Sequence, residues 1–323
     1  MPADADECRP LVTVITPAYN EEANLPLLYE RLAAVFAGLA EDWEWIIVDD
    51  HSADSTFAVA GELAARDARV RGIRFSRNFG SHMARTCGLH HAAGDCAIAM
   101  AADLQDPPER IPDLLARWRE GAHVVSAVRT GRPGEKASTR LFSRLYYWIV
   151  RDLAGVRMPS AGASFHLLDR RAIDAYCRFP ERHVNAIILV HWLGFRHEHI
   201  QYEQQARLHG RSGWTLAKKL KLLIDTLAAF SDLPVRAAWL GGAVLAFAGG
   251  TAGAVLAALA VTGRPVSGWA VVIAAMLMIS GVQLLVLAFL GEYLWRALDE
   301  ARRRPQYLIE DAVGTPLARR PER

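Results

Sequence analysis

The sequence holds only four cysteines, Cys8, Cys87, Cys96 and Cys177, and no two form a Cys-x-x-Cys pair or a metal-ligand spacing. That excludes a disulfide framework and fits plain thiols in a reducing compartment. No Gly-x-Gly-x-x-Gly follows an apolar run, so a nicotinamide dinucleotide site has no support. No Gly-x-x-x-x-Gly-Lys-Ser/Thr is present, which excludes a P-loop. The 11 histidines include no His-Glu-x-x-His. Neither His90 and His91 nor the group His191, His197 and His199 joins a cysteine motif, so all are read as structural or surface residues. Charge is also scarce, at 22% of residues, and a net charge of +2 implies nothing about nucleic acid. Met1 to Pro10 is acidic and polar without an apolar core, so no signal peptide is expected. There is no internal repeat and no low-complexity tract.

Apolar residues are what the chain has in excess, and they are concentrated. From Leu233 to Trp295 only Arg236, Arg264 and Glu292 carry charge. The uncharged runs Ala237 to Val261 and Pro265 to Gly291 each exceed the roughly 20 residues a helix needs to cross a bilayer core. Thr262-Gly263-Arg264-Pro265 reads as the turn between them. The expectation is a hairpin of two transmembrane helices, about 237–261 and 266–294, within 233–296. The competing reading is a pair of buried core helices. Gly241, Gly242, Gly249, Gly250 and Gly253 speak against it, because each would weaken a soluble helix by about 1 kcal/mol. In lipid, small residues let helices pack closely, which also makes a homo-oligomer plausible. Lys218, Lys219, Lys221 and Arg236 precede the first span, and Arg296, Arg302, Arg303 and Arg304 follow the second. By the positive-inside rule both termini are cytoplasmic, on the inner membrane of a bacterial-type cell. Basic residues beside the spans suit anionic lipid.

The region 1–214 is long enough for one large domain. Leu11–Thr16, Trp45–Val48, Val70–Phe75, Ala97–Ala101 and Val124–Val128 read as strands. Glu22–Leu39, Ser55–Arg66, His82–Ala92 and Pro108–Glu120 read as helices between them. Apolar runs without strict alternation suggest strands buried on both faces, and the β–α alternation predicts an α/β, Rossmann-like, mostly parallel sheet. Ligands bind such sheets beyond the carboxyl ends of the strands. There the chain places Pro17-Ala18-Tyr19-Asn20-Glu21-Glu22, Asp49-Asp50-His51-Ser52, Asp103-Leu104-Gln105-Asp106-Pro107-Pro108, and Arg129. A carboxylate-rich edge suggests a divalent cation bridging a diphosphate.

These loops, in this order and with Phe75-Ser76-Arg77-Asn78-Phe79-Gly80, resemble a family 2 glycosyltransferase of the GT-A fold. With Trp192-Leu193-Gly194-Phe195, Arg207–Trp214 and the hairpin, the order is similar to that of polyprenyl-phosphate glycosyltransferases related to dolichyl-phosphate mannose synthase, over residues 10–312. The resemblance implies that Pro17, Tyr19, Glu21, Asp49, Asp50 and Ala102 hold the nucleotide. One carboxylate of the Asp49/Asp50 pair would accept from the base's imide N–H. Ser52 and Asp54 could cap the next helix as well as that pair could. Asp103 would bind Mg2+ or Mn2+, assisted by Gln105. The family often has Asp two positions earlier, where this chain has Ala101. Asp106 and Glu109 read as a helix start, with Asp capping, Pro opening and Glu favouring the dipole. Arg129, Arg140 and Arg207 match positions used for phosphate contacts, with Ser143, Arg144 and Ser212 as further acceptor-phosphate candidates. The family's Ser-Lys is Ser212-Gly213 here, and Arg211 and Lys218 are the nearby cations.

A polyprenyl phosphate is a lipid monoester, mostly dianionic at neutral pH because its second pKa is about 6. Ser138 to Leu153 and the juxtamembrane stretch 215–232 interleave basic, aromatic and apolar residues and read as interfacial helices. The remaining 297–323 is expected to be a cytoplasmic tail. The resemblance implies an inverting enzyme that moves a sugar from a nucleotide sugar, UDP first by analogy and GDP otherwise, to polyprenyl phosphate. A processive polysaccharide synthase is disfavoured, since Arg117-Trp118 is preceded by Leu114 rather than Gln and only two spans are expected. A catalytically impaired membrane scaffold is the alternative, motivated by Ala101 and Gly213.

Overall fold

The computed structural model describes residues 9–129, 165–179, 186–203, 261–262, 268–301 and 305–317. Two compact units result. The first is built on an eight-stranded sheet of order β7-β5-β6-β4-β1-β2-β3-β8. Its strands are β1 (Leu11–Ala18), β2 (Asp42–Asp49), β3 (Val70–Phe75), β4 (Cys96–Ala99), β5 (Val124–Arg129), β6 (Phe165–Asp169), β7 (His197–Tyr202) and β8 (Ile309–Val313). The helices of this unit are α1 (Asn24–Ala37), α2 (Thr56–Arg66), α3 (Ser81–His91), α4 (Ile111–Arg119), α5 (Arg170–Cys177) and α6 (Ala186–Trp192), with a 3-10 turn at Pro108–Arg110.

The five strands and four helices read from periodicity are all present, with ends shifted by a few residues. The sheet is mixed, with four parallel pairs, as expected for its larger part, and three antiparallel ones. The pairs β1–β2, β1–β4, β2–β3 and β5–β7 are parallel. The pairs β3–β8, β4–β6 and β5–β6 are antiparallel. Every antiparallel pair involves β6 or β8, two strands that apolar runs did not reveal.

Burial on both faces explains the missing alternation in β2. Trp45 and Ile47 join one core with Leu25, Leu28, Leu32 and Phe36 of α1. Ile46 and Val48 join another with Met83, Ala84 and Cys87 of α3. Thr16 and Glu44 are buried polar residues with hydrogen-bond partners, which offset part of their desolvation. Trp45 Nε1 donates to Thr16 Oγ1 at 2.9 Å. Glu44, fully buried, accepts from Thr13 Oγ1 at 2.6 Å and Ala93 N at 2.7 Å. Beside them a Cβ on Gly94 would lie 2.7 Å from Leu11 O, Thr13 N and Cys96 O. Backbone cannot retreat there. Gly94→Ala is therefore expected to cost about 1–3 kcal/mol, read as a lower midpoint of thermal unfolding.

The segment expected to be a tail returns to the sheet and supplies β8 at its edge. The second unit contains α7 (Gly268–Ala301), a helix of 34 residues that overlaps the second expected span. Its side chains are described only in part, and no described stretch is both long and apolar enough to cross a membrane. The first expected span at 237–261 lies outside the described residues, apart from Val261. So do the expected interfacial helices at 138–153 and 215–232.

Candidate active site

β1 runs to β2 on one side and neighbours β4 on the other, so the chain direction of winding switches between β1 and β4. Crevices form at such a point, outside the carboxyl ends of the strands. The loops after β1, β2 and β4 meet that edge, and each is backbone-strained. Among the described residues, the non-glycine residues with positive φ are Asn20 (58°), His51 (60°) and Leu104 (58°), one in each of these loops. A bulky Leu in that region is a costly conformation that persists only where its surroundings impose it.

The first two loops are stitched together. Asn20 N donates to Ser52 Oγ at 2.9 Å, and Ala53 N donates to Asn20 Oδ1 at 2.9 Å. Glu21 N donates to Thr56 Oγ1 at 2.8 Å. Glu21 Oε2 accepts from Asn24 Nδ2 and thereby fixes the start of α1. Pro17 closes β1 opposite Val48, and Tyr19 stands half-exposed beyond it, a flat ring available for stacking.

The two adjacent aspartates have different duties. Asp49 is fully buried. Its Oδ1 accepts from Ser52 N at 3.0 Å, and Oδ2 lies 3.7 Å from Arg74 Nε. Asp50 is buried as well, and it holds the loop before α3. Phe79 N donates to its Oδ1 at 2.6 Å and Gly80 N to its Oδ2 at 2.9 Å. Gly80 has φ of 95°, which suits glycine at this close approach. Burial pushes the Asp50 carboxyl up to about 6, against the pull of the Phe79 and Gly80 amides. Neither aspartate caps α2. That task falls to Asp54, whose Oδ1 accepts from Thr56 N at 3.1 Å.

The third loop carries Asp103, Gln105 and Asp106, with Ala102 buried beneath them. Gln105 N donates to Asp103 Oδ1 at 3.2 Å, closing a turn over the strained Leu104. Asp106 is not the helix cap that its Asp-Pro-Pro-Glu setting suggested. It is 1% exposed and accepts from Tyr202 Oη at 2.5 Å, at the end of β7. Pro108 opens the 3-10 turn with Glu109 in its first turn, as expected, and Glu109 also pairs with Arg31 of α1 at 2.6 Å. Burial raises the Asp106 carboxyl, and Asp103 adds to this, while Tyr202, Arg129 and Arg85 oppose it. Thus Asp103, Asp106, Arg129 and Arg85 share one electrostatic neighbourhood.

Arg85 and His82 were missed from sequence. They sit one turn apart on α3, and burial lowers the His82 imidazole to about 4. Their only sequence signal is polarity on a helix whose next residues, Cys87 and Gly88, press on the sheet. Arg140, Ser143, Arg144, Arg207 and Ser212 lie outside the described residues. His166, His191, His197 and His199 gather on β6, α6 and β7. Ser126 Oγ lies 2.9 Å from His166 Nδ1 and 2.6 Å from His197 Nε2, and the His191 and His197 ring centroids are 4.3 Å apart.

The donor set fits a divalent cation of one kind only. Among the described residues no group of three His, Cys, Asp or Glu side chains could hold a metal. Asp103 supplies one hard carboxylate oxygen donor, the kind that Mg2+ or Mn2+ takes when phosphate and water provide its other ligands.

Comparison with known proteins agrees with this geometry. The family described as Glycosyl transferase family 2 matches residues 13–176. The chain is 34% identical over 303 residues to "Uncharacterized glycosyltransferase YkcC" of Bacillus subtilis (strain 168), covering 94% of each. It is 35% identical over 315 residues to the undecaprenyl-phosphate 4-deoxy-4-formamido-L-arabinose transferase of Pseudomonas aeruginosa (strain LESB58), covering 95% of this chain and 92% of the relative. It is 29% identical over 301 residues to the bactoprenol glucosyl transferase of Shigella phage SfV, covering 93% and 98%. The fold is similar to that of glucosyl-3-phosphoglycerate synthase from Mycobacterium tuberculosis, solved with Mn2+, UDP-glucose and phosphoglyceric acid. That match has a TM-score of 0.51 and 18% identity over 68% of this chain and 79% of the other. The chain belongs to glycosyltransferase family 2 and is a sugar-transferring enzyme.

Proposed function

We propose that the protein transfers a sugar from a nucleotide diphosphate sugar, UDP-linked in the first instance, to a polyprenyl phosphate at the cytoplasmic face of a membrane. The observation that carries this reading is the switch-point edge, where the loops after β1, β2 and β4 carry Tyr19, Asp50 and Asp103, the last in one electrostatic neighbourhood with Arg129. Relatives matched over nearly their whole length are named for bactoprenol and undecaprenyl phosphate. That supports the lipid acceptor.

The reaction joins an acceptor phosphate oxygen to the anomeric carbon. The bond from that carbon to the donor diphosphate breaks, the nucleoside diphosphate leaves with the electron pair, and the configuration inverts. A phosphate monoester is mostly dianionic at neutral pH, because its second pKa is about 6, so the nucleophile needs no general base. The protein's task is to bring two anions together in line. Tyr19 and Asp50 hold the base, with Pro17, Glu21 and Ala102 shaping the pocket. Asp103 and Gln105 would hold Mg2+ or Mn2+, which supplies positive charge to the diphosphate when bound. Arg129 faces the transferring phosphates, and Arg140, Arg207, Ser143, Arg144 and Ser212 are proposed for the acceptor phosphate. Arginine suits this role through its planar fork of donors.

The membrane setting rests on two supports. The runs 237–261 and 266–294 have the length and composition of spans. Within α7, Trp269, Val272, Met276, Ile279, Leu287, Leu290 and Leu294 are exposed along a helical repeat. That pattern suits lipid better than water.

The test is direct. Purified full-length protein, undecaprenyl phosphate, Mg2+ or Mn2+ and a panel of labelled UDP- and GDP-sugars should move label into the organic phase. Failure of every donor, with an Asp103→Ala strain that keeps its cell phenotype, would favour the impaired scaffold that Ala101 suggests.

A further inference from the structure

We infer that the C-terminal strand β8 is a working part of the nucleotide site, with Glu310 and Arg74 acting as positioning residues for the turn that carries Asp50. The inference rests on the nucleotide-sugar reading and adds to it the segment that lies after the long apolar helix.

Asp50 sits between Asp49 and Ser52, and His51 within the turn holds φ at 60°. A non-glycine residue in that conformation needs surroundings that over-determine it. Arg74, the fifth residue of β3, supplies them from below. Its Nη2 donates to Ser52 O at 3.3 Å, and its Nε lies 3.7 Å from Asp49 Oδ2. One guanidinium thus ties both ends of the turn. Ser52 in turn accepts from Asn20 N through Oγ, so the same staple reaches the loop that carries Tyr19.

β8 holds the staple from the other side. Glu310 Oε2 lies 3.3 Å from Arg74 Nε and 3.5 Å from His51 Nδ1. This placement is built into the pairing. Asp311 is opposite Arg74 and Ile309 opposite Phe75, with a register shift between them, so Glu310 is the extra residue of a bulge. Bulges re-aim side chains and recur beside active sites. The strand is fastened on both flanks of the bulge. Tyr307 stacks on Phe75 with centroids 5.2 Å apart, and its hydroxyl lies 2.9 Å from His90 Nδ1. At the far end, Val313 occupies the space that a Cβ on Gly72 would claim, at 2.7 Å. Residues 302–304 are all that separates β8's lead-in at Pro305 from α7, so the chain returns to this edge directly after its apolar helix.

The experiment measures UDP-glucose binding by calorimetry on the full-length protein in detergent, for wild type, Glu310→Gln, Glu310→Asp, Arg74→Gln and the Glu310→Gln/Arg74→Gln double variant. Glu310→Gln is expected to weaken binding about 2–5-fold, the scale of a half-exposed ion pair. Arg74→Gln is expected to weaken it about tenfold or more, because it leaves the buried Asp49 carboxylate without its cation. The double variant should lose less than the sum of the two single effects, since Glu310 and Arg74 pair with each other. Glu310→Asp should recover part of the loss, and kcat at saturating donor should change less than the donor KM. Unchanged binding in Glu310→Gln, or full additivity in the double variant, would overturn the inference while leaving the proposed function standing. If Arg74→Gln does not fold, Glu310→Gln with its aspartate rescue decides alone. A wild type that binds no nucleotide overturns both.

Discussion

Asp103→Asn is expected to lower sugar transfer on the order of 10³-fold while leaving the thermal unfolding midpoint nearly unchanged. The reasoning is local. Asp103 is buried at the end of the β4 loop, and its Oδ1 accepts from Gln105 N. Asparagine keeps an acceptor oxygen at that position, so the turn over Leu104 survives. What it loses is the charge. Elsewhere in the family a second carboxylate often stands two residues earlier, but Ala101 leaves none here. Asp106 cannot replace it, because Tyr202 Oη engages its carboxyl and burial raises its pKa. The measurement is single-turnover transfer from labelled UDP-sugar across a titration of Mg2+ and of Mn2+. Excess metal should not restore the rate. A loss of tenfold or less would move the diphosphate away from this loop. Asp106→Asn offers the contrast. It should cost less in kcat, because Asp106 spends its carboxyl on β7 rather than on the donor.

The parts of this molecule that could be read in advance are those governed by local pattern. Leu11 to Ala18 and Trp45 to Val48 are apolar throughout because both faces are covered, and their lengths suit strands. The polar residues that follow them stand out for the same reason. The missed elements lack that contrast. β7 reads His-Glu-His-Ile-Gln-Tyr and β8 reads Ile-Glu-Asp-Ala-Val, polar strands at the two edges of the sheet. Edge strands carry charge, which dilutes any apolar signal. Asp106 was misread because Asp-Pro-Pro-Glu satisfies every local rule for a helix start, and only the tertiary approach of Tyr202 draws the carboxyl inward. Arg74, Arg85 and Glu310 are legible to no local rule. Their roles depend on partners distant in sequence, such as Ser52, 22 residues before Arg74.

Asp50 gives the second large effect, and its sign follows from its surroundings. A carboxylate offers about four acceptor positions. Phe79 N and Gly80 N occupy two of them, and a nucleotide base N–H can take another. Burial pushes this carboxyl from its ordinary 3.8 up to about 6. Because the folded pKa is raised, the group favours folding most below pH 3.8 and loses that contribution as pH rises through about 6. Donor binding runs the other way. The ionised form accepts from the base, so UDP-glucose affinity should be level above pH 7 and fall as pH drops through about 6. UDP-glucose is the right probe, since its diphosphate is fully esterified and lacks the monoester step that free UDP and the lipid acceptor show at about pH 6. Asp50→Asn should bind about 30–100-fold more weakly at pH 7.5, because the amide weakens a charge-assisted bond and turns an N–H toward the Phe79 and Gly80 amides. It should also flatten the pH dependence. Asp49→Asn should keep the pH step, since Asp49 is fully buried and its two oxygens face Ser52 N and Arg74. A pH step that survives Asp50→Asn and vanishes in Asp49→Asn would exchange the two assignments and make Asp49 the residue that reads the base.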